Sequence, residues 1–199
     1  MLKRLLLTFI TGCVLAFTAM SHAGSTPTDD VRTSVEAILE ILKNEQLDKE
    51  GKREQMSTVI NKRFDFRAMS QRTLATNWKK TTDEEKQQFV TLFSELIENS
   101  YVGKIEAYTD EKVEYPGEKV KGRKAVVETL IITSSNDVPV NYKVYQKGDQ
   151  WLVYDVVIEG VSLISNYRSS YQEIMKKEGF DGLLTKMQAK IDELASTPS

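Results

Sequence analysis

The acidic residue best placed to do chemistry is Asp155, which lies among apolar side chains of a predicted strand. A single carboxylate in an apolar cavity can act as a general base. Glu159 lies four residues further along the same predicted strand face, which separates the two side chains by roughly 13 Å. Because that distance is too long for a paired-carboxylate site, Asp155 would act alone. The structural alternative is an ion pair with Arg168 or a capping role near the strand-to-helix turn, and isolated acids more often serve in this way.

Other common catalytic groups are confined to one end of the sequence. The chain has one cysteine, Cys13, and one histidine, His22. Both lie in a predicted targeting segment, so the mature chain would have no thiol, imidazole or disulfide. The sequence also has no glycine-rich phosphate loop and no GxSxG motif. These observations argue against Cys–His catalysis, Ser–His–Asp catalysis and ordinary zinc sites.

The first 23 residues have the organisation of a cleaved secretory signal peptide. Lys3 and Arg4 supply the positive region, residues 5–19 the apolar region and residues 21–23 a small-x-small cleavage site. A lipobox at residues 10–13 is the alternative, but its apolar stretch is short and more apolar residues follow it. We therefore predict export of a mature chain that begins after residue 23.

The mature chain is predicted to be a single acidic domain over residues 24–199. Loss of the two signal-peptide cations changes 27 basic and 29 acidic residues to 25 and 29, a net charge of −4. A nucleic-acid partner would need a basic surface, so this negative net charge argues against one.

The order of the predicted elements indicates an α+β fold. Several amphipathic helices come first, and the clearest begins at a capping box, Thr82 to Glu85. About four antiparallel strands follow, at residues 113–115, 125–133, 138–145 and 151–159, with a turn at Pro116-Gly117. The last strand passes at Gly160 directly into a helix, and helices end the chain. One face of the sheet is therefore expected to be covered by helices.

The alternating pattern of the strands defines a candidate apolar wall. Val140, Tyr142 and Val144 share one face of their strand, and we place Tyr154, Val156 and Ile158 together on the next. Such a wall facing apolar helices can form either a filled core or a cavity, and periodicity does not distinguish the two. A cavity lined in this way would suit a long apolar ligand.

The segment that ends the sheet carries a family resemblance. The pattern WxxYDVxIEGVSLIxNYR over residues 151–168 resembles the motif of the MlaC-type, or toluene-tolerance, family of periplasmic proteins. Phe64 and Phe66, Leu74 with Trp78, and residues 179–184 agree with it, so the resemblance extends over essentially the whole mature chain.

This resemblance implies a periplasmic phospholipid carrier rather than an enzyme. Its expected partners are an outer-membrane lipoprotein complex and an inner-membrane ABC transporter with an MCE subunit, and its expected role is outer-membrane lipid asymmetry. It implies no catalytic residues, metal or cofactor, with bound phospholipid as the ligand. Two other functions stay open: a cavity enzyme that uses Asp155, and a periplasmic adaptor or chaperone without lipid.

Faces and spacing then predict which side chains would line the lipid pocket. The predicted lining consists of Phe66, Met69, Phe93, Ile97, Tyr101, Val140, Tyr142, Val144, Tyr154, Val156, Ile158, Ile164 and Tyr167.

Overall fold

The structure is a computed structural model that describes residues 24–107, 111–134 and 136–196. The predicted signal peptide, together with Cys13 and His22, lies outside the described residues. Within the described ranges, no helix combines the length and apolar character needed to cross a membrane.

The sheet is an antiparallel meander of five strands in the order β1-β2-β3-β4-β5. Its strands are β1 (Lys112–Lys121), β2 (Lys124–Ile132), β3 (Asp137–Lys147), β4 (Gln150–Ile158) and β5 (Val161–Ser162). The predicted α+β class is therefore confirmed, with one short strand more than expected.

The predicted turn at Pro116-Gly117 is wrong, because β1 continues through both residues. The pairing of β1 with β2 shifts register between Glu114 and Gly117, as at a β-bulge. Proline is tolerated here since β1 is an edge strand, where a backbone N–H is not needed on the open side.

In the part of the chain that the structure describes, five helices and one 3-10 turn complete the fold. They are α1 (Pro27–Lys43), α2 (Lys49–Arg63), α3 (Phe66–Leu74), the 3-10 turn (Ala75–Lys79), α4 (Asp83–Glu106) and α5 (Leu163–Ser196). The predicted capping box opens α4, where the Thr82 hydroxyl accepts the Glu85 N–H. In α1 the cap is Thr26, and Pro27 is well suited to the first helical position that follows it.

The transition from sheet to helix is less direct than the sequence suggests. Glu159 and Gly160 form a two-residue turn with φ of 50° and 82°, and β5 follows before α5 begins. Positive φ at both turn residues matches the twist of the flanking strands. A kink interrupts α5 at Gly179, which has φ 73° and ψ −170°.

Buried side chains form two apolar clusters. One lies between the sheet and α1 and includes Val127, Val144 and Val153. The other joins α3, α4 and α5 around residues such as Phe89 and Phe93. Phe64, which follows α2, packs against both clusters. The candidate functional site lies in the space where the two clusters diverge.

Candidate functional site

A cavity of about 620 Å³ lies between the inner face of the sheet and helices α1, α2 and α4. This volume is within the range of small-molecule and lipid sites, roughly 300–1,000 Å³. Its apolar lining consists of Val31, Val35, Ile38, Met56, Ile60, Phe64, Ile97, Tyr101, Val102, Ile105, Ile131, Val138, Val140, Tyr142, Val153, Val156, Ile158 and Leu163.

The sheet wall of the cavity follows from strand alternation. Val138, Val140 and Tyr142 are spaced two residues apart on β3, so all three face the helices. Val140 pairs with Ile158 and Tyr142 with Val156 across to β4, which extends the same apolar surface. A long hydrocarbon chain could lie along this apolar surface.

The helical wall comes mainly from α2 and from the second half of α4. Ile97, Tyr101 and Ile105 recur at intervals of four residues and share one face of α4. Met56 and Ile60 have the same spacing on α2. The two helices therefore present opposed apolar stripes with the cavity between them.

A buried ion pair lies at one side of this lining. Arg63 Nη1 is 3.0 Å from Asp30 Oδ2, and both residues are below 10% exposed. Arg63 also donates to the Ser34 hydroxyl at 2.9 Å and to the Trp151 carbonyl at 2.8 Å. Asp30 accepts the Trp151 N–H at 2.6 Å. These bonds fix α1 and α2 to the sheet, so the charges are structural.

The rim between α2 and α4 is polar. Arg53 donates two hydrogen bonds to Glu106, at 2.5 and 2.8 Å. Glu98 accepts from the Ser57 hydroxyl at 2.7 Å and from Asn61 at 3.0 Å. The Arg53 guanidinium lowers the pKa of Glu106. Side-chain polar contacts, with apolar surface behind them, thus connect the two helices along the rim.

The structure places six of the thirteen predicted lining residues around this cavity. These six are Ile97, Tyr101, Val140, Tyr142, Val156 and Ile158. The other seven, which do not line it, are Phe66, Met69, Phe93, Val144, Tyr154, Ile164 and Tyr167.

Most of the seven belong to the cluster between helices. Phe66, Met69, Phe93 and Ile164 are buried there, and Tyr167 packs edge-on against the Phe93 ring with centroids 5.5 Å apart. The apolar stripe on α4 therefore lies in two different environments. Its first half packs against α5, while its second half lines the cavity.

Val144 and Tyr154 do not line the cavity because of their positions within the sheet. Val144 is on the expected face but is fully buried in the sheet cluster. The register of β3 and β4 shifts where Lys143 pairs with Asp155 and Val144 with Val153, which leaves Tyr154 as an extra residue. Val153 therefore takes the inward position, and Tyr154 contacts Tyr145 and Arg72 instead.

The sequence prediction missed the contributions of α1 and α2. The stripe formed by Val31, Val35 and Ile38 is visible in the sequence and indicates a buried face, but not which surface it meets. Met56 and Ile60 lie in a strongly charged helix. Their spacing of four residues was the only signal.

Asp155 is not part of the cavity lining. One of its oxygens accepts the Ile164 N–H at 3.2 Å, and the other accepts from the Ser162 hydroxyl at 2.8 Å and from Lys143 at 2.9 Å. The predicted ion pair with Arg168 is wrong, because Arg168 Nε donates to the Arg72 carbonyl. The capping role is the one that the structure supports.

Among residues 24–107, 111–134 and 136–196, no group of three or more His, Cys, Asp or Glu side chains could hold a metal ion. The cavity itself presents a mainly apolar surface.

A family model described as MlaC protein matches residues 32–189. The intermembrane phospholipid transport system binding protein MlaC of Haemophilus influenzae is 32% identical over 123 residues, which are 59% of this chain and 58% of that protein. The toluene tolerance protein ttg2D of Pseudomonas putida is 22% identical over 173 residues, 83% of this chain and 80% of its own length.

The fold is shared with a solved structure. It is a phospholipid-binding protein from Ralstonia solanacearum in complex with a phospholipid, with a TM-score of 0.77 and 23% identity. The match covers 84% of this chain and 97% of that one.

Proposed function

Because this chain belongs to the MlaC family, as the motif at residues 151–168 predicts, we propose that it is a phospholipid carrier. In this proposal residues 24–199 form one lipid-binding domain, which holds acyl chains in the cavity between the sheet and α1, α2 and α4. The observation that carries the proposal is the apolar cavity of about 620 Å³. The prediction that the chain is not an enzyme is confirmed by its relatives, whose names describe phospholipid transport, toluene tolerance and phospholipid binding.

The energetics of the cargo favour a deep apolar site. Each methylene withdrawn from water contributes about 0.8 kcal/mol, so an acyl chain gains several kcal/mol when it is sheltered. The sheet wall and the α2–α4 stripes together offer such shelter over several side chains. Spontaneous exit of the lipid into water would be slow for the same reason, so release calls for an acceptor.

The polar rim suits a lipid whose headgroup stays near solvent. Arg53 and Lys104 could approach a phosphate, while Glu54 and Glu98 could approach an amine. The mixture of charges implies modest headgroup selectivity. The pocket would therefore accept several phospholipids that share acyl chains of similar length.

The family supports a wider role in transport. We infer that the carrier works in the periplasm, after removal of the signal peptide, between an outer-membrane lipoprotein complex and an inner-membrane ABC transporter with an MCE subunit. Its contribution would be to outer-membrane lipid asymmetry. The binding residues that we propose are the six predicted ones on the cavity wall, with Val35, Ile38, Met56, Ile60 and Val153 added from the structure.

Native mass spectrometry of the gently purified mature protein tests this function. A mass increase equal to one or two phospholipids, which disappears after extraction with organic solvent, would support the carrier. A ligand-free protein that also fails to take up phospholipid from vesicles would overturn it. That second result would favour the adaptor or chaperone alternative, in which the cavity holds no lipid.

A cavity enzyme has less support. Asp155 would have to reach a substrate in the cavity, yet both of its carboxylate oxygens are occupied by hydrogen bonds outside the lining. The hydrogen bonds of Asp155 instead hold the start of α5 against β4.

A further inference from the structure

The end of the β1–β2 hairpin is strongly basic. Lys119, Lys121, Arg123 and Lys124 lie within six consecutive residues, and all four are exposed. We call residues 119–124 the basic hairpin. Val120 lies among these cations and is 53% exposed, which makes it one of two exposed large hydrophobic residues in the described part of the chain. We propose that the basic hairpin docks the protein on an anionic lipid bilayer.

Most of this charge is not neutralised within the protein. Lys119 pairs with Glu128 at 2.5 Å. Within the described ranges, no acidic side chain forms an ion pair with Lys121, Arg123 or Lys124, and Arg123 donates instead to the Gln146 carbonyl at 3.1 Å. Three cations are thus left for an external anion.

The hairpin also places two like charges together. Lys121 and Lys124 are direct cross-strand partners at the last pair of the ladder. Like charges directly opposite each other across two strands are destabilising. The arrangement costs stability in the isolated protein, and an anionic surface would remove that cost.

Protection of an exposed sheet edge explains only part of the pattern. Lysine on an edge strand discourages pairing with another chain, and this accounts for Lys119 and Lys121 on β1. It does not account for Arg123 in the turn or Lys124 on β2, which is paired on both sides. The remaining cations therefore call for a partner.

The contrast with the rest of the molecule indicates that the charge is local. Residues 24–199 carry a net charge of −4, from 25 basic and 29 acidic residues. Lys147, at the end of the neighbouring β3–β4 hairpin, extends the positive surface although it lies 3.6 Å from Asp65. An excess of positive charge at this end of the sheet would orient the protein towards an anionic surface.

An anionic bilayer fits this surface better than an acidic protein does. Clustered lysine and arginine residues gain about 1 kcal/mol each near an anionic membrane. The exposed Val120 side chain can enter the boundary between headgroups and acyl chains while the flanking cations contact phosphates. Val120 lies between Lys119 and Lys121 on β1, with its side chain on the opposite face of the strand, and it gains nothing comparable from a purely acidic protein patch.

The inference goes beyond lipid carriage, because the basic hairpin contributes no residue to the cavity. The two proposals can therefore fail separately. Docking is measured as vesicle binding, whereas carriage is measured as phospholipid bound to the protein.

The experiment uses the mature protein and vesicles of phosphatidylcholine alone or mixed with phosphatidylglycerol. We expect cosedimentation with the mixed vesicles only, lost at high salt. The variant with Lys121→Gln, Arg123→Gln and Lys124→Gln should bind the mixed vesicles about a hundredfold more weakly, from about 1 kcal/mol per cation.

A matched variant controls for net charge. Lys80→Gln, Lys176→Gln and Lys177→Gln remove three exposed cations from other parts of the surface. This control should bind the mixed vesicles as the unmodified protein does. Equal losses in both triple variants, or no loss in the hairpin variant, would overturn the proposal.

The apolar contribution has its own matched pair. Val120→Ser should weaken vesicle binding severalfold, whereas Val161→Ser, at the other exposed valine, should leave it unchanged. If the unmodified protein does not bind anionic vesicles, the docking proposal is wrong, and an acidic protein becomes the candidate partner. Bound phospholipid, measured by native mass spectrometry, should be the same in all of these variants.

Discussion

Asp155 on β4 accepts a hydrogen bond from the Ile164 N–H at the start of α5, at 3.2 Å. Its other oxygen accepts from Ser162 and Lys143, and Asp155 is only 5% exposed. Ser162 in turn accepts the Ser165 N–H, so it caps the same helix. A single carboxylate therefore sets where the C-terminal helix leaves the sheet.

We expect Asp155→Ala to lower the free energy of unfolding by about 2–4 kcal/mol, because it leaves buried donors without an acceptor. Urea unfolding followed by circular dichroism measures the change. Phospholipid bound per folded molecule should stay the same, since Asp155 does not line the cavity. The exposed Glu173 on α5 supplies the control: Glu173→Ala should change the free energy by less than about 0.5 kcal/mol.

The second prediction concerns the cavity wall. Val140 is 6% exposed and lines the cavity, so Val140→Trp should fill part of it and reduce bound phospholipid at least severalfold. Native mass spectrometry measures the lipid, and a cooperative thermal transition verifies folding. Val126→Trp, on the opposite face of the neighbouring strand, is the matched control. Equal lipid content in the two folded variants would remove Val140 from the proposed site.

The sequence predicts this wall better than it predicts the rest of the site. Val140 and Tyr142 line the cavity as expected, because alternation on a strand fixes which side chains share a face. The predicted face of Tyr154 on β4 is wrong, because a β-bulge shifts the alternation there. A bulge depends on the pairing of two strands, which the sequence of one strand does not show. Phe93 and Ile97 belong to one apolar stripe, yet only Ile97 lines the cavity. The sequence does not distinguish the two positions, because a residue that packs against α5 and a residue that lines a pocket are both apolar.

The third prediction tests the buried Asp30–Arg63 pair. Asp30→Ala should destabilise the protein by about 3–5 kcal/mol, because it leaves the Arg63 charge buried without its partner. Adding Arg63→Met removes that charge, so the double variant should be more stable than Asp30→Ala. Chemical denaturation of the single and double variants measures the coupling. Additive losses would show that the two residues stabilise the fold independently.

The fourth prediction concerns backbone strain after α3. Ala75 has φ 51° and ψ −119°, a conformation that glycine adopts far more readily than alanine. Ala75→Gly should therefore raise the free energy of unfolding by about 1 kcal/mol. The neighbouring exposed residue provides the contrast: Thr76→Gly, within the 3-10 turn, should be neutral or destabilising. A loss of stability in Ala75→Gly would mean that the strain is smaller than the entropy of the added flexibility.

The fifth prediction concerns acid and the connection between α2 and α4. The hydrogen bonds from Arg53 hold the pKa of Glu106 below its ordinary value of 4.5, so the charged form is favoured in the folded protein. This contribution to stability is complete above that ordinary value and is lost as the pH falls through the lower, folded pKa. Glu106→Gln should therefore be less stable than the unmodified protein near neutral pH. The difference should shrink as the solution is acidified below about pH 4.5.

Urea unfolding at a series of pH values, between about pH 7 and pH 3, measures this convergence. Glu95→Gln, at an exposed position on the same helix, is the matched control and should keep a constant small difference. Parallel curves for Glu106→Gln and the unmodified protein would contradict the assigned pairing. Because the Arg53–Glu106 pair spans the rim of the cavity, Glu106→Gln should also release bound phospholipid to acceptor vesicles faster at neutral pH. A fluorescent phospholipid that is quenched in the vesicles follows that release directly.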